Sequence, residues 1–180
     1  MIQDGFHLYD GDHLNLLAMD KRGEQKDARG TPEESLRHFF SSPAYAVIGV
    51  SRSRKKIGCA VFRVMKEHEL CVYGVHPSGF EIDGERMLTS VSELDAAVQS
   101  VVMAVPPDVT MRVVKECIQH GIENIWLQPG SESDEAIRIA TAHGIHVIYG
   151  ECIILFLEPV RSFHAIHKWI NRLAGVYPEW

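Results

Sequence analysis

Hydrophobic and polar positions along this chain change period several times, and the changes mark out its elements. Ala44–Val50 (AYAVIGV) is an unbroken apolar run of mostly small and β-branched residues, the pattern of a strand covered on both faces. It closes in Gly49-Val50-Ser51, a turn with a potential helix cap, and the period then becomes helical through Ile57, Val61, Val64, Met65 and His68. The same alternation repeats downstream. Leu70–Val75 is a second strand, ended by His76-Pro77-Ser78-Gly79, and Ser100–Val105 is a third, closed by Pro106-Pro107. Asn124–Leu127 precedes Gln128-Pro129-Gly130, and Ile145–Tyr149 precedes Gly150-Glu151-Cys152. Asp108 is the expected cap of a helix to His120 that Gly121 stops, and Ser131 or Ser133 caps the next, through Ala136, Ile137, Ile139 and Ala140. Smaller signals are a tight turn at Ile82-Asp83-Gly84-Glu85, a short helix from Ser92 through Val98, and Ile153–Leu157 as a strand extension or packed loop.

Five strands separated by helices predict an α/β fold: a Rossmann-like, doubly wound parallel five-stranded sheet with an N-terminal helical extension and a C-terminal helix. Thr31-Pro32-Glu33-Glu34 opens a helix carrying Leu36, Phe39 and Phe40, which Ser41-Ser42-Pro43 stops just before the first strand. Residues 1–30, with the glycine-punctuated charged stretch 21–30, read as an extension and linker, and 31–157 as the domain. In 158–180, Phe163, Ile166, Ile170 and Leu173 make an amphipathic helix that either packs on its own domain or docks on a partner or a second copy. Sheets of this kind bind ligands outside the carboxyl ends of their strands. Here those ends are rich in Gly, Pro and small polar residues, which let a ligand approach the backbone closely.

Composition narrows the ligand. The chain has 180 residues, 46% of them hydrophobic, 23% charged, and a formal net charge of -6. That acidity argues against a broad nucleic-acid surface, and no apolar run is long enough for a bilayer. The start, MIQDGFHLYDGDHL, shows no secretory pattern, so a cytoplasmic location is expected. Cys59, Cys71, Cys117 and Cys152 are widely spaced without any CxxC, and are expected to be reduced and mostly buried.

Against this background Arg52, Arg54, Lys55 and Lys56 crowd one turn and the expected first part of the following helix. A helix start already carries unpaired N–H groups and partial positive charge, so cations there are mutually unfavourable unless an anion joins them. A bound phosphate resolves the conflict; a solvated basic turn is the plain alternative. A dinucleotide fits poorly. The turn lacks G-x-G-x-x-G, with Gly58 the next glycine after Gly49, and the second strand ends in Val75-His76-Pro77 where an acid would hold the ribose hydroxyls. Coenzyme A fits better: its phosphates suit the cationic turn, and its thin pantetheine arm suits a groove walled by proline-rich strand ends.

At this point the sequence resembles a known family. AVIGVSRSRKKIGCAVFRVMK (46–66), VYGVHPSGFEIDGERMLTSVSEL (72–94), the run 100–148 and GEC (150–152) are, as a set, similar to the stand-alone bacterial CoA-binding domain proteins. That fold is shared with the N-terminal domain of the succinyl-CoA synthetase α subunit. The resemblance spans about two-thirds of the chain, from about Leu36 to Leu157. It implies that Gly49, Val50, Ser51, Arg52 and Ser53 lie against the phosphates with Lys55 or Lys56 nearby. It also implies that His76, Pro77 and Ser78 border the adenosine end, Val105, Pro106 and Pro107 the middle, and Gln128, Pro129 and Gly130 the pantetheine end. The cluster Arg54-Lys55-Lys56 is more basic than the family pattern, which leaves open which cation meets which phosphate.

The related synthetases work through a phosphohistidine supplied by a further domain, so a non-catalytic module binding coenzyme A or an acyl-CoA is expected, as a sensor or carrier. His143, His146, His164 and His167 read as structural rather than metal ligands, and Trp126, Trp169 and Trp180 as packing residues. Cys152 falls at the ligand edge, where a thiol could form a mixed disulfide or act as a nucleophile. Glu151 beside it opposes the low thiol pKa such a role needs, so an unreactive strand-end cysteine is expected. Two other readings stand beside this one: an NAD(P)-binding redox protein or sensor, and an interaction module with a vestigial pocket.

Overall fold

The computed structural model describes residues 32–157. The elements expected in 1–30, the Thr31 cap, and the tail helix with its histidines and tryptophans lie outside the described residues. The order is α1 (Pro32–Phe40), β1 (Ala44–Ile48), α2 (Ile57–Glu67), β2 (Val72–Val75), β3 (Glu81–Ile82), β4 (Glu85–Arg86), β5 (Val98–Met103), α3 (Pro107–His120), β6 (Asn124–Leu127), α4 (Asp134–Ala142) and β7 (His146–Ile148). Single 3₁₀ turns cover Val91–Glu93 and Ile153–Phe156. The five long strands form one parallel sheet in the order β2-β1-β5-β6-β7.

Every residue of β1 is buried, because helices cover both faces of the sheet. On one face Leu36 and Phe39 of α1 and Val61, Phe62 and Met65 of α2 pack with Tyr45, Val47, Val102 and Trp126. On the other, Val113, Val114 and Cys117 of α3 and Ala136 and Ala140 of α4 pack with Ala46, Ile48, Val101, Met103 and Ile125. This is the doubly wound α/β architecture read from the sequence. Trp126 is fully buried as a packing residue, edge-on to Phe39 at 5.3 Å, with its indole N–H donating to the Glu151 carbonyl at 2.8 Å.

Several local expectations are corrected. The basic segment 51–56 forms turns, and α2 begins only at Ile57, so Ser51 caps no helix and the four cations precede the first helical turn. The helix expected from Ser92 is one 3₁₀ turn, because Val98 already pairs with Ala44 at the start of β5. A turn at Asp95 ends the intervening segment, its carboxylate accepting from the Ala97 amide at 2.8 Å and its carbonyl from Val98 at 3.0 Å. Asp108 sits inside the first turn of α3, behind Pro106 in the cap position. Ser133 caps α4 through the Ala136 amide, whereas Ser131 serves elsewhere. Of the two readings of 153–157 the packed loop holds, as a 3₁₀ turn over Ile153–Phe156, and Cys71 is exposed, unlike Cys59 and Cys117.

At the amino edge of the sheet a line of side-chain hydrogen bonds ties α1 to the strands. His38 Nδ1 meets Asn124 Oδ1 at 2.6 Å, Asn124 donates to Ser100 Oγ at 3.1 Å, and Ser100 donates to Ser42 Oγ at 2.8 Å. Asn124 and Ser100 are buried, so each needs these partners. Asn124→Ala removes the donor to the buried Ser100 hydroxyl and the partner of His38, and is expected to lower unfolding free energy by about 1 kcal/mol in urea titration.

Asp83 and Gly84 form the two-residue turn of the β3–β4 hairpin, at φ 51 and 82, the left-handed pair that such turns require. The Asp83 carboxylate meets Arg63 at 2.7 Å and Arg54 at 3.3 Å, and Lys66 meets Glu85 at 2.7 Å. The hydrogen bond from Arg63, then the charges of Arg63 and Arg54, hold the Asp83 carboxyl below its ordinary range. A lowered carboxyl pKa stabilises above the unfolded value and is lost as pH falls through the folded one. Hydrogen-exchange protection of the hairpin amides is therefore expected to weaken as pH falls below the ordinary Asp range, and Asp83→Asn is expected to reduce it modestly above that range.

Candidate functional site

The sheet order reverses between β1 and β5, and the carboxyl ends of β1, β2 and β5 open there into a cleft of about 580 Å³. Ile48, Val75, Val91, Val105 and Val113 make its apolar floor, on the α3 face of the sheet. Its rim is polar: Ser51 and Lys56 on one side, His76, Thr89 and Ser90 on another, and Arg112 and Glu116 from α3 on the third. An apolar base with a few polar groups at the switch point is the usual make-up of a small-molecule site in such sheets.

Two glycines let α2 reach this corner. Gly49 ends β1 with φ +92, and a Cβ on it would run into the carbonyl of Ala104 and the side chain of Val105. Gly58, in the first turn of α2, faces the Gly49 carbonyl so closely that a Cβ there would collide with it. The start of α2 therefore rests directly on the strand end. Lys56 in the cap position makes no side-chain capping hydrogen bond to the helix start, and no acidic residue stands in the first turn. The free N–H groups of a helix start thus line the cleft beside the Lys56 side chain. Such a start favours an anion by about 0.3–1 kcal/mol when exposed and up to about 2 when partly buried.

The preceding turn is built from its own hydroxyls, Ser51 Oγ accepting from the Ser53 amide at 3.1 Å and Ser53 Oγ from the Lys55 amide at 3.4 Å. Arg52 places its guanidinium 4.9 Å from the centroid of Phe80, and the rings of His76 and Phe80 lie 4.9 Å apart. Burial, then the Arg52 charge, lowers the His76 pKa from its ordinary value.

Of the residues picked out in the sequence, Gly49, Ser51, Lys56, His76, Pro77, Val105 and Pro106 line the cleft. Arg52, Ser53 and Lys55 are exposed on the adjoining turn, and Ser78 and Pro107 are exposed just beyond the lining. Val50 is fully buried with the α2 face of the core. Gln128 is also fully buried; its backbone N–H bonds the Met103 carbonyl at 2.9 Å, and the Gly130 N–H is taken by the Glu132 carboxylate at 2.6 Å. Pro129 is half-buried between them. Cys152 is half-buried outside the cleft, and burial pushes its thiol up to about 11, away from the reactive thiolate range. Among the described residues no cluster of His, Cys, Asp or Glu has metal-binding geometry.

The sequence reading missed Thr89, Ser90 and Val91, which reach the cleft because the chain returns from the hairpin alongside β2, His76 N–H bonding the Leu88 carbonyl at 2.8 Å. It also missed Arg112 and Glu116, which share a face of α3 with Val109 and Val113. That spacing was visible; which strand ends it faced was not. Ser131 is a strut of the site: its hydroxyl accepts from the Val105 amide at 3.2 Å and its carbonyl from Thr110 at 2.8 Å.

A CoA binding domain family model matches residues 43–158, and the chain belongs to that family. Family membership supports coenzyme A binding in general. Among curated proteins, the chain is 28% identical over 129 residues to the ADP-forming acetate–CoA ligase II subunit alpha of Pyrococcus furiosus, covering 66% of this chain and 28% of that protein. It is 27% identical over 126 residues to the ADP-forming acetate–CoA ligase of Methanocaldococcus jannaschii, covering 66% of this chain and 18% of that protein. The chain thus spans well under a third of these relatives. Among solved structures, a conserved hypothetical protein from Pyrococcus furiosus superposes with a TM-score of 0.60 at 33% identity, over 62% of this chain and 97% of that one. A dinucleotide-forming acetyl-coenzyme A synthetase 1 from Ca. Korarchaeum cryptofilum, in complex with phosphate and ADP, gives 0.56 at 27% identity, over 62% of this chain and 26% of that one. Among the described residues no helix is long and apolar enough to cross a membrane.

Gly49→Ala places a side chain in a left-handed backbone against the Ala104 carbonyl, and is expected to lower stability by about 2 kcal/mol or more in chemical denaturation.

Proposed function

We propose that this chain binds coenzyme A or an acyl-CoA without transforming it, with the pyrophosphate at the start of α2 and the adenosine end in the cleft bordered by His76, Pro77, Thr89 and Ser90. The observation that carries the reading is the uncapped α2 start, set against Gly49 and facing a cleft whose floor is apolar. An anion there meets backbone N–H groups and Lys56 together, while a flat hydrophobic group meets Val75, Val91 and Val113. Ser51, Arg52, Ser53 and Lys55 ring the phosphates from the adjoining turn. Val105, Pro106 and Pro107 flank the middle of the ligand, and the backbone of Gln128-Pro129-Gly130 directs the pantetheine arm, with Cys152 beyond it as an unreactive neighbour.

Binding without catalysis is supported by how the polar groups of the cleft are used. Thr89 bonds Glu93, Ser90 bonds Ser92 at 2.7 Å, and His76 Nδ1 accepts from the Ser78 amide at 3.1 Å. Each of these groups is engaged within its own loop segment, which suits groups that hold a binding site in shape.

Thermal unfolding tests the reading with coenzyme A, acetyl-CoA, NAD and NADP. A ligand at a hundred times its Kd stabilises by about 2.7 kcal/mol. Stabilisation is expected from the two CoA forms and not from NAD or NADP; the reverse result would remove the proposal. Lys56→Glu, at the cleft wall, should weaken coenzyme A by about tenfold or more, whereas Lys55→Glu on the exposed turn should cost no more than about threefold. Equal effects of the two would place the phosphates elsewhere.

A further inference from the structure

Arg52, Arg54, Lys55 and Lys56 repel one another unless a negative charge stands near them. A carboxylate of the chain itself reaches this turn. Asp83, at the tip of the β3–β4 hairpin and 29 residues from Arg54, meets that arginine from outside the cleft. Its two oxygens are divided between two elements. Oδ2 accepts from Arg63 Nε at 2.7 Å, with Arg63 Nη2 also at 2.7 Å, whereas Oδ1 accepts from Arg54 Nη2 at 3.3 Å. The Arg63 side chain is 34% exposed and that of Arg54 71%. Arg63 is therefore the anchor, and Arg54 the looser and more exchangeable partner. Lys66 and Glu85, 2.7 Å apart, hold the other side of the hairpin to α2. The hairpin thus keeps its seat on α2 when Arg54 lets go.

We propose that Asp83 is a built-in substitute for a ligand phosphate: it holds Arg54 in the free protein, and coenzyme A binds by drawing Arg54 from Asp83 to a phosphate oxygen. The exchange rests on the coenzyme A reading above and adds to it a competitor within the chain. Before the ligand arrives, the carboxylate offsets one of four crowded positive charges. When the ligand arrives, its phosphates are held by the α2 start and Lys56 as well, and they win Arg54 from a single long contact. The displaced contact is subtracted from the affinity. Removing the carboxylate therefore tightens binding. A residue that only kept the hairpin and the turn in order would give the opposite sign.

The test is calorimetric titration of the full chain with coenzyme A at low ionic strength, where exposed charges are least screened. Asparagine suits the left-handed backbone at position 83, so Asp83→Asn preserves the hairpin turn. Asp83→Asn is expected to bind coenzyme A about threefold more tightly than the wild-type chain, the scale of one exposed ion pair. Arg54→Gln should weaken binding by no more than about twofold, and adding Asp83→Asn to it should bring no further gain, because the coupling passes through Arg54. Unchanged or weaker binding by Asp83→Asn would overturn the exchange. So would a gain that persists in full beside Arg54→Gln, since Asp83 would then act by its charge alone. Either result leaves the coenzyme A reading intact, whereas failure of the wild-type chain to bind coenzyme A would overturn both. Should Asp83→Asn fail to fold, a crystal structure of the wild-type chain with coenzyme A decides. Arg54 within hydrogen-bond distance of a phosphate oxygen and parted from Asp83 supports the exchange, and Arg54 still on Asp83 overturns it.

Discussion

The close approach of α2 to the end of β1 sets the geometry of everything at the carboxyl edge. It depends on two positions where a side chain is sterically excluded: Gly49, whose backbone is left-handed and pressed on Ala104, and Gly58, pressed on Gly49. Because the contact is backbone to backbone, the helix start sits where a phosphate can reach its N–H groups without a long side chain intervening. The cleft follows from the same contact, since the Gly49 turn leaves Ile48, Val75 and Val105 at the base of an open corner. A glycine-rich turn that places a helix start against a strand end is a general way for an α/β sheet to receive a phosphate. Here two glycines make that backbone contact.

Most of the fold was legible because long apolar runs and helical periods reported burial on both faces. β6 matches its expected bounds, and Gly121 ends α3 at φ 78 as its position suggested. In each failure a local capping signal lost to another constraint: backbone pairing at a distance in one case, a neighbouring proline in the other. Val98 joins β5 opposite Ala44, so the Ser92 helix has no room to grow. Pro106, lacking an N–H, takes the cap position of α3 ahead of Asp108, whose side chain was the better local candidate.

The site was legible in part. Strand-end residues such as Gly49, His76 and Val105 could be placed by topology alone, since the carboxyl ends of a parallel sheet converge. The cation cluster was harder, because charge counts do not reveal which charges are already engaged. Arg54 is bound to Asp83, Lys55 is exposed outside the cleft lining, Lys56 is part of that lining, and Arg52 lies over Phe80. Asp83 lies 29 residues from Arg54, and only the hairpin brings them together. Arg112 and Glu116 were invisible for the same reason: their helix was expected, but its rotation against the sheet was not.

The two edges of the sheet are held by different physics. The amino edge, with Ser100, Asn124 and His38, is a chain of hydrogen bonds, while the opposite edge relies on missing side chains and an exposed helix start. β5 spans six residues between them, roughly 20 Å at about 3.3 Å per residue, beyond the distance over which substitutions usually influence one another. Each edge therefore answers to its own kind of substitution, and sequence drift at one can proceed without retuning the other.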